Sequence, residues 1–249
     1  MVCHGHDSLI IQLGCLPLLA QHYEIEVILK NNSHLVDERI TDYCREHNIY
    51  FLDEKHSLGF GENNNYVFSY ATKHLGLNDD DYFLVLNPDV FVDATSVIDA
   101  CQLANAKASE LTTINLFTDE KLEKFDLCIR NFPSLIDFVS SYTGCGNKTI
   151  IDKSKVLEPS GEDWAAGSFL LFKASLYRKL GGFDPSYFMY CEDIDICLRS
   201  QSLFNQKLLF IPDIKAIHHA QHANRRLFSM HFVWHVRSML RYLALFYGL

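Results

Sequence analysis

Residues 181–199 read GGFDPSYFMYCEDIDICLR. Three carboxylates, Glu192, Asp193 and Asp195, sit in a segment otherwise built of Phe, Tyr, Met, Ile, Leu and Cys. Burying charge without a partner is expensive, so something must compensate them. Gly181-Gly182 closes a helical stretch over Ala174–Leu180, and Asp184-Pro185 opens a turn. From Glu192 onward the apolar pattern suits a helix start, where acids favour the positive end of the helix dipole. One reading is therefore an acidic helix N-terminus paired with Arg199. Capping needs one acid, however, and three beside a cluster of aromatic rings suit a general base held at a reaction site.

Working outward, strand and helix patterns alternate. YEIEVIL over 23–29 alternates and is β-branched, which predicts a strand, and the apolar stretch 8–22 predicts a helix weakened by Gly14 and Pro17. A helix over 36–46 and a strand over 49–52 follow. Helix 66–75, strand 82–86, helix 97–109, strand 111–117, strand 169–172 and strand 207–211 continue the alternation, with Pro212-Asp213 closing the last. This order predicts an α/β fold with a mostly parallel central sheet. The segment 119–133 reads as a polar excursion, 134–142 as a helix, and Gly144–Lys148 as its break.

The 249 residues, 48% of them hydrophobic, are enough for one domain with a substantial core. The eight cysteines include no C-x-x-C pair, which argues against a zinc ribbon or a disulfide scaffold and fits a reducing cytoplasm. No charged n-region followed by an apolar h-region opens the chain, so secretion is not expected. Charge is divided unevenly. After Asp213 there are five basic residues and no acidic ones, which leaves 17 of the 22 basic residues against all 31 acidic ones in the body. An acidic body speaks against nucleic-acid binding. The basic tail, interleaved with Phe, Trp, Tyr and Leu, predicts an amphipathic helix whose apolar run is too short to span a bilayer, so it would lie on a membrane or pack on the domain.

Four further stretches carry chemistry. Leu58–Asn65 (LGFGENNN) has two glycines that let backbone come close to a neighbour, and asparagines at a helix start. Asn87-Pro88-Asp89 follows the apolar strand YFLVL, and ligands in such sheets sit beyond the carboxyl ends of strands; a carboxylate there can hold Mg²⁺ or Mn²⁺ against phosphates. Asp79-Asp80-Asp81 reads instead as a solvated turn. Trp164, in DWAAGS, offers either a stacking face for a sugar or a core indole. His218-His219 and His222 lack the accompanying ligands of a zinc site. Arg225 and Arg226 suit phosphate groups or a basic helix start equally.

The string YFMYCEDIDICLR resembles the acidic signature of GT-A-type, family-2 inverting glycosyltransferases, and in particular the rhamnosyltransferases of bacterial O-antigen assembly. The resemblance covers nearly the whole chain. It implies a GT-A domain over 1–225 with a C-terminal amphipathic helix over 226–249. Asp193 would be the base toward the acceptor hydroxyl, with Glu192 and Asp195 supporting it. It places Cys3 and His4 in the first nucleotide-holding turn, although only Met1-Val2 stand where the family has a full strand. Asn31 would lie in the Asp-Asn-x-Ser position, with Lys30 replacing the Asp. Gly59, Gly61, Asn63, Asn64, Asn87, Asp89 and Arg225 would contact the donor. Trp164, Gly167, Ser168 and Asp195 would line the sugar side, and Asp89 with His218 would hold Mg²⁺ or Mn²⁺.

The implied reaction moves L-rhamnose from dTDP-β-L-rhamnose to a polyprenyl-diphosphate-linked N-acetylglucosamine saccharide, at the inner face of the bacterial plasma membrane. Alternatives are another nucleotide sugar as donor, or an impaired protein that only binds sugar nucleotides within an assembly. A nucleotidyltransferase would carry a Gly-rich, Lys/Arg-containing loop near its start, and none is there.

Overall fold

The computed structural model describes residues 1–143, 146–220 and 230–248. The chain opens with a parallel three-stranded sheet, β1 (Val2–Cys3), β2 (Ile28–Asn31) and β3 (Tyr50–Leu52) in that order, with α1 (Asp7–Leu13), α2 (Cys15–Ala20) and α3 (Glu38–Glu46) between them. The helix expected over 8–22 is two helices, split at Gly14 in the left-handed region. The strand expected from Tyr23 starts only at Ile28, with Tyr23 exposed in a turn. Alternation cannot make a strand without a partner. β1 supplies just two residues, and the Met1 amine already meets the Ile28 carbonyl at 2.9 Å.

A second, six-stranded sheet follows. α4 (Phe60–Tyr70) leads to β4 (Tyr82–Leu86), β5 (Val90–Phe91), α5 (Ala94–Ala106), β6 (Leu111–Phe117), β7 (Ile129–Arg130) and α6 (Leu135–Thr143). Then come β8 (Ser160–Glu162), β9 (Trp164–Ala165), β10 (Phe169–Lys173), α7 (Ala174–Leu180), α8 (Glu192–Phe204), β11 (Leu208–His218) and α9 (Met230–Tyr247). The order is β4-β10-β6-β11-β5, with β8 on β11, while β7 and β9 form a separate pair. β4, β6 and β11 run the same way, and β10 is the reversed strand between β4 and β6. β6 is buried along its whole length, as a strand covered on both faces should be.

β11 does not stop at Pro212. A register shift between Ile211 and Lys215 absorbs Pro212-Asp213, and the strand continues to His218, where it pairs with β5. Proline lacks the N–H for a regular ladder and is accommodated at such irregularities. The consequence is positional: His218 is carried to the residue next to Asp89.

α4 starts six residues before the position expected for it. Gly59 is its N-cap, its N–H meeting the Glu62 carboxylate at 3.2 Å, so Phe60–Asn65 is helix and not loop. Both glycines face neighbouring chain. A Cβ on Gly59 would lie 2.6 Å from the Phe188 carbonyl oxygen, and one on Gly61 2.6 Å from Phe183 Cβ. Asn65 fastens the same segment. Its Oδ1 accepts from the Phe183 N–H (2.9 Å) and Tyr177 hydroxyl (2.7 Å), and its Nδ2 donates to the Phe183 carbonyl (2.8 Å).

Between β2 and β4 lies a cavity of about 550 Å³, lined by Leu16, Ile28, Val67, Ala71, Leu86 and Val97 among others. The two sheets do not hydrogen-bond across it.

Candidate active site

α8 begins from an unusual backbone. Tyr190 and Cys191 both have positive φ, 74° and 62°, and the helix starts at the next residue with Glu192, Asp193 and Asp195 in its first turn. Two successive non-glycine residues in this region store strain, which functional sites often tolerate. The three acids have three different environments.

Asp195 is 2% exposed and accepts from Arg199 Nε at 2.7 Å; Arg199 also reaches the carbonyls of Leu180 (2.9 Å) and Gly182 (3.0 Å). The pair straps α8 to the end of α7, so Asp195 is not placed as the sugar contact expected of it: its charge is committed to Arg199. Glu192 is 6% exposed, and its Oε2 has no hydrogen-bond partner. Burial, reinforced by the Asp193 charge, pushes its carboxyl up. Asp193 is half-buried. Its Oδ2 accepts from the Gly167 N–H (3.2 Å) and its Oδ1 from its neighbour Ile194 (2.9 Å). Burial raises its pKa as well, against those N–H groups and the Arg130 charge. Of two adjacent acids, the one that accepts two N–H bonds is the better placed to ionise.

From Asp193 a connected path crosses the sheet end. Gly167 precedes Ser168, whose carbonyl accepts from the Asn87 N–H at 3.0 Å, and Asn87 opens the turn that carries Asp89. The Asp89 carbonyl accepts from the His219 N–H at 2.8 Å. Its carboxylate lies 3.3 Å from His218 Nε2, while His218 Nδ1 lies 2.9 Å from Asp126. Burial lowers the His218 pKa, but the Asp126 and Asp89 carboxylates outweigh it and push the imidazole up to about 9.

Asp89 and His218 present one carboxylate oxygen and one imidazole nitrogen side by side. An O,N pair of this kind suits Mn²⁺ or Mg²⁺, with Mn²⁺ the better match to imidazole. Among the described residues no group of three or more His, Cys, Asp or Glu could hold a metal, so phosphates and water would have to complete the shell. The residues fit a cation that arrives with a diphosphate.

The remaining expectations divide. Gly167 and Ser168 are buried beside Asp193. Trp164 is 7% exposed, gives its indole N–H to the Asn131 carbonyl (2.9 Å) and has the Arg130 guanidinium 5.7 Å from its ring. It is a core indole with no open face for a sugar. Asn63 and Asn64 point inward, their amides donating to the carbonyls of Leu58, Gly59 and Phe60. Cys3 is buried and its thiol donates to Asp7, while His4 is exposed and its ring meets the Asn32 carbonyl. Asn31 is bound to Asp53 at 2.8 Å, and Lys30 is buried with its ammonium on the Asn31 carbonyl. Arg225, Arg226 and His222 lie outside the described residues. Sequence reasoning missed Asp126 and Arg130, both inside the segment read as a polar excursion. The apolar run Leu127-Cys128-Ile129 between two opposite charges was the available signal.

Two acids at the start of α8, a carboxylate after β4 and a histidine at the end of β11 thus meet on a sheet of the GT-A fold. No family model matches the chain. Solved structures share the fold. A mannosyltransferase from Pyrobaculum calidifontis in complex with GDP-Man and Mn²⁺ aligns at TM-score 0.57 and 12% identity over 90% of this chain and 56% of that one. S. aureus TarS 1-349 in complex with UDP-GlcNAc aligns at 0.59 and 14%, over 98% of this chain and 64% of that one. Against both, the chain spans less than two thirds of the neighbour's length. Curated relatives are nearer. The rhamnosyltransferase WbbL of Escherichia coli K12 is 38% identical over 245 residues, covering 98% of this chain and 91% of the relative. An N-acetylglucosaminyl-diphospho-decaprenol L-rhamnosyltransferase of Mycobacterium tuberculosis is 27% identical over 91% of this chain and 76% of its own. The chain belongs to the rhamnosyltransferase family represented by WbbL, and it is an enzyme that transfers a sugar.

Proposed function

We propose that this enzyme transfers L-rhamnose from dTDP-β-L-rhamnose, with inversion, to a polyprenyl-diphosphate-linked N-acetylglucosamine saccharide. The carrying observation is the hydrogen-bonded path Asp193–Gly167–Ser168–Asn87–Asp89–His218, which brings two carboxylates and an imidazole to one end of the sheet and supports this reading. The relatives named for rhamnosyl transfer, one of them to a lipid-diphosphate N-acetylglucosamine, supply the donor sugar and acceptor class.

Asp193 takes the proton from the acceptor hydroxyl at its carboxylate, and the hydroxyl oxygen attacks the anomeric carbon opposite the diphosphate. The Gly167 N–H orients Oδ2 for that step. Glu192, which burial keeps from ionising readily, leaves the local negative charge on Asp193. Asp89 and His218 would hold Mg²⁺ or Mn²⁺, which when bound offsets the charge that grows on the departing diphosphate. Asn87 keeps Asp89 in register with Ser168 by its backbone.

A lipid-linked acceptor calls for a membrane surface. No helix among the described residues is long and apolar enough to cross one. α9 buries Tyr242 and Leu243 against the domain and ties Ser238 to the Met189 carbonyl, while Val233, Leu240, Leu245 and Tyr247 stay exposed beside Arg237 and Arg241. Leu135, Ile136 and Val139 of α6 are exposed as well, and Tyr247 joins the two helices through the Leu135 N–H. This apolar, basic face suits an anionic inner leaflet.

The test is product analysis by mass spectrometry with a synthetic N-acetylglucosamine diphospholipid and a panel of dTDP-, UDP- and GDP-sugars. Addition of one deoxyhexose from dTDP-rhamnose is expected; transfer from only a UDP- or GDP-sugar would replace the donor assignment.

A further inference from the structure

Behind the His218 ring lies a charged layer to which the reaction outlined above gives no role. Asp126 follows β6, with its N–H on the Leu116 carbonyl at 3.0 Å, and its side chain is 13% exposed. Its Oδ2 meets His218 Nδ1 at 2.9 Å, on the side of the ring away from Asp89. Beneath it Lys153 is 4% exposed, and its ammonium donates to the Leu116 carbonyl (3.1 Å), Asn115 Oδ1 (3.3 Å) and Cys128 Sγ (3.4 Å). Burial favours the neutral Asp126, but His218, Lys153 and Cys128 together hold its carboxyl below the usual range. A buried ammonium and a buried carboxylate on one side of an imidazole are costly to assemble, and partners in place are what make them tolerable.

An imidazole has one lone pair when neutral, and the nitrogen that bears it is set by what the other nitrogen donates to. Nδ1 faces Asp126 at 2.9 Å and Nε2 faces Asp89 at 3.3 Å, so when a cation displaces the Nε2 proton, an Nδ1–H given to Asp126 keeps the lone pair on the Asp89 side of the ring. We propose that Asp126 is a positioning residue of the donor site: it holds His218 by Nδ1–H and aims Nε2 at the cation shared with Asp89, with Lys153 as its electrostatic anchor. The inference rests on the cation reading given under the proposed function. Carboxylate partners of this kind fix ring orientation and raise ligand basicity, and their loss typically costs about 10–100-fold in metal affinity.

The experiment measures Mn²⁺ affinity in the presence of dTDP, by electron paramagnetic resonance of free Mn²⁺, for the parent, Asp126→Asn, Asp126→Ala and His218→Ala. Asp126→Asn can offer its amide N–H to Nδ1 and so invert the tautomer, while Asp126→Ala leaves the ring untied. Both are expected to weaken Mn²⁺ binding about 10–100-fold, with metal-free dTDP affinity and the circular dichroism spectrum unchanged. In the His218→Ala background, Asp126→Asn is expected to cost nothing further. Nitrogen-15 shifts of the neutral His218 ring are expected to report Nδ1–H in the parent and a mixture in Asp126→Ala. Parent-like Mn²⁺ affinity in folded Asp126→Asn, additive losses in the double variant, or an unchanged ring would each overturn the positioning role alone. A parent that takes up no Mn²⁺ overturns the cation reading, and this proposal with it.

Discussion

Glu192 and Asp193 are neighbours in the chain and opposites in circumstance. Glu192 is buried with Oε2 lacking a partner, and burial followed by the Asp193 charge raises its pKa above the ordinary 4.5. A carboxyl that holds its proton more tightly folded than unfolded contributes stability that is present at low pH. That contribution is lost as pH climbs from the ordinary value through the raised one. Glu192→Gln is therefore expected to flatten the fall of the urea midpoint between pH 5 and pH 9, and an unchanged slope would show that Glu192 finds a partner in solution. Asp89 is the carboxylate proposed for the donor side. Asp89→Ala should reduce Mn²⁺-dependent dTDP affinity by roughly tenfold or more while metal-free binding is retained; an unaltered Mn²⁺ titration would remove Asp89 from the cation site.

α4 and the segment 181–191 depend on one another at the scale of elements. Asn65 makes three hydrogen bonds to Tyr177 and Phe183, and Gly182 at φ 74° has room for no side chain, since a Cβ would sit 2.2 Å from Asn65 Oδ1. Asn65→Ala leaves the buried Tyr177 hydroxyl and Phe183 amide without partners, at a cost of about 2–4 kcal/mol. Equilibrium denaturation checks this, and a loss below about 0.5 kcal/mol would mean that water replaces the amide. These contacts also explain what the sequence made legible. The apolar strand YFLVL, the Asn-Pro-Asp turn and the acidic signature were readable because each combines a pattern with its chemistry in one short stretch. Asn63 and Asn64 were less legible, because an asparagine at a helix start can cap, bind or point inward; here their amides donate to the carbonyls of Leu58, Gly59 and Phe60. Asp126 was illegible for a related reason: its meaning comes from His218, 92 residues away.

Across the whole molecule, the two sheets leave a cavity of about 550 Å³ between β2 and β4. Ala71 lines it, and Ala71→Leu adds three carbons toward that space, worth up to about 2.4 kcal/mol at roughly 0.8 kcal/mol per buried methylene. A rise in denaturation midpoint is expected, and a fall would show that the gap is closed in solution. Alternation in 23–27 was readable as a strand, but β1 pairs only with Lys30 and Asn31, so those residues had no ladder partner. The proposed active site does not border that gap. Asp193, Asp89 and His218 are joined through β4, β10, α8 and β11, all within or beside the larger sheet. The measurement that tests this most directly is acceptor-dependent release of dTDP from dTDP-rhamnose by the parent enzyme and by Asp193→Asn. Release by the parent, reduced by about 10²–10⁴-fold in Asp193→Asn with dTDP affinity unchanged, is the predicted result. Turnover in Asp193→Asn within a few-fold of the parent would contradict the account.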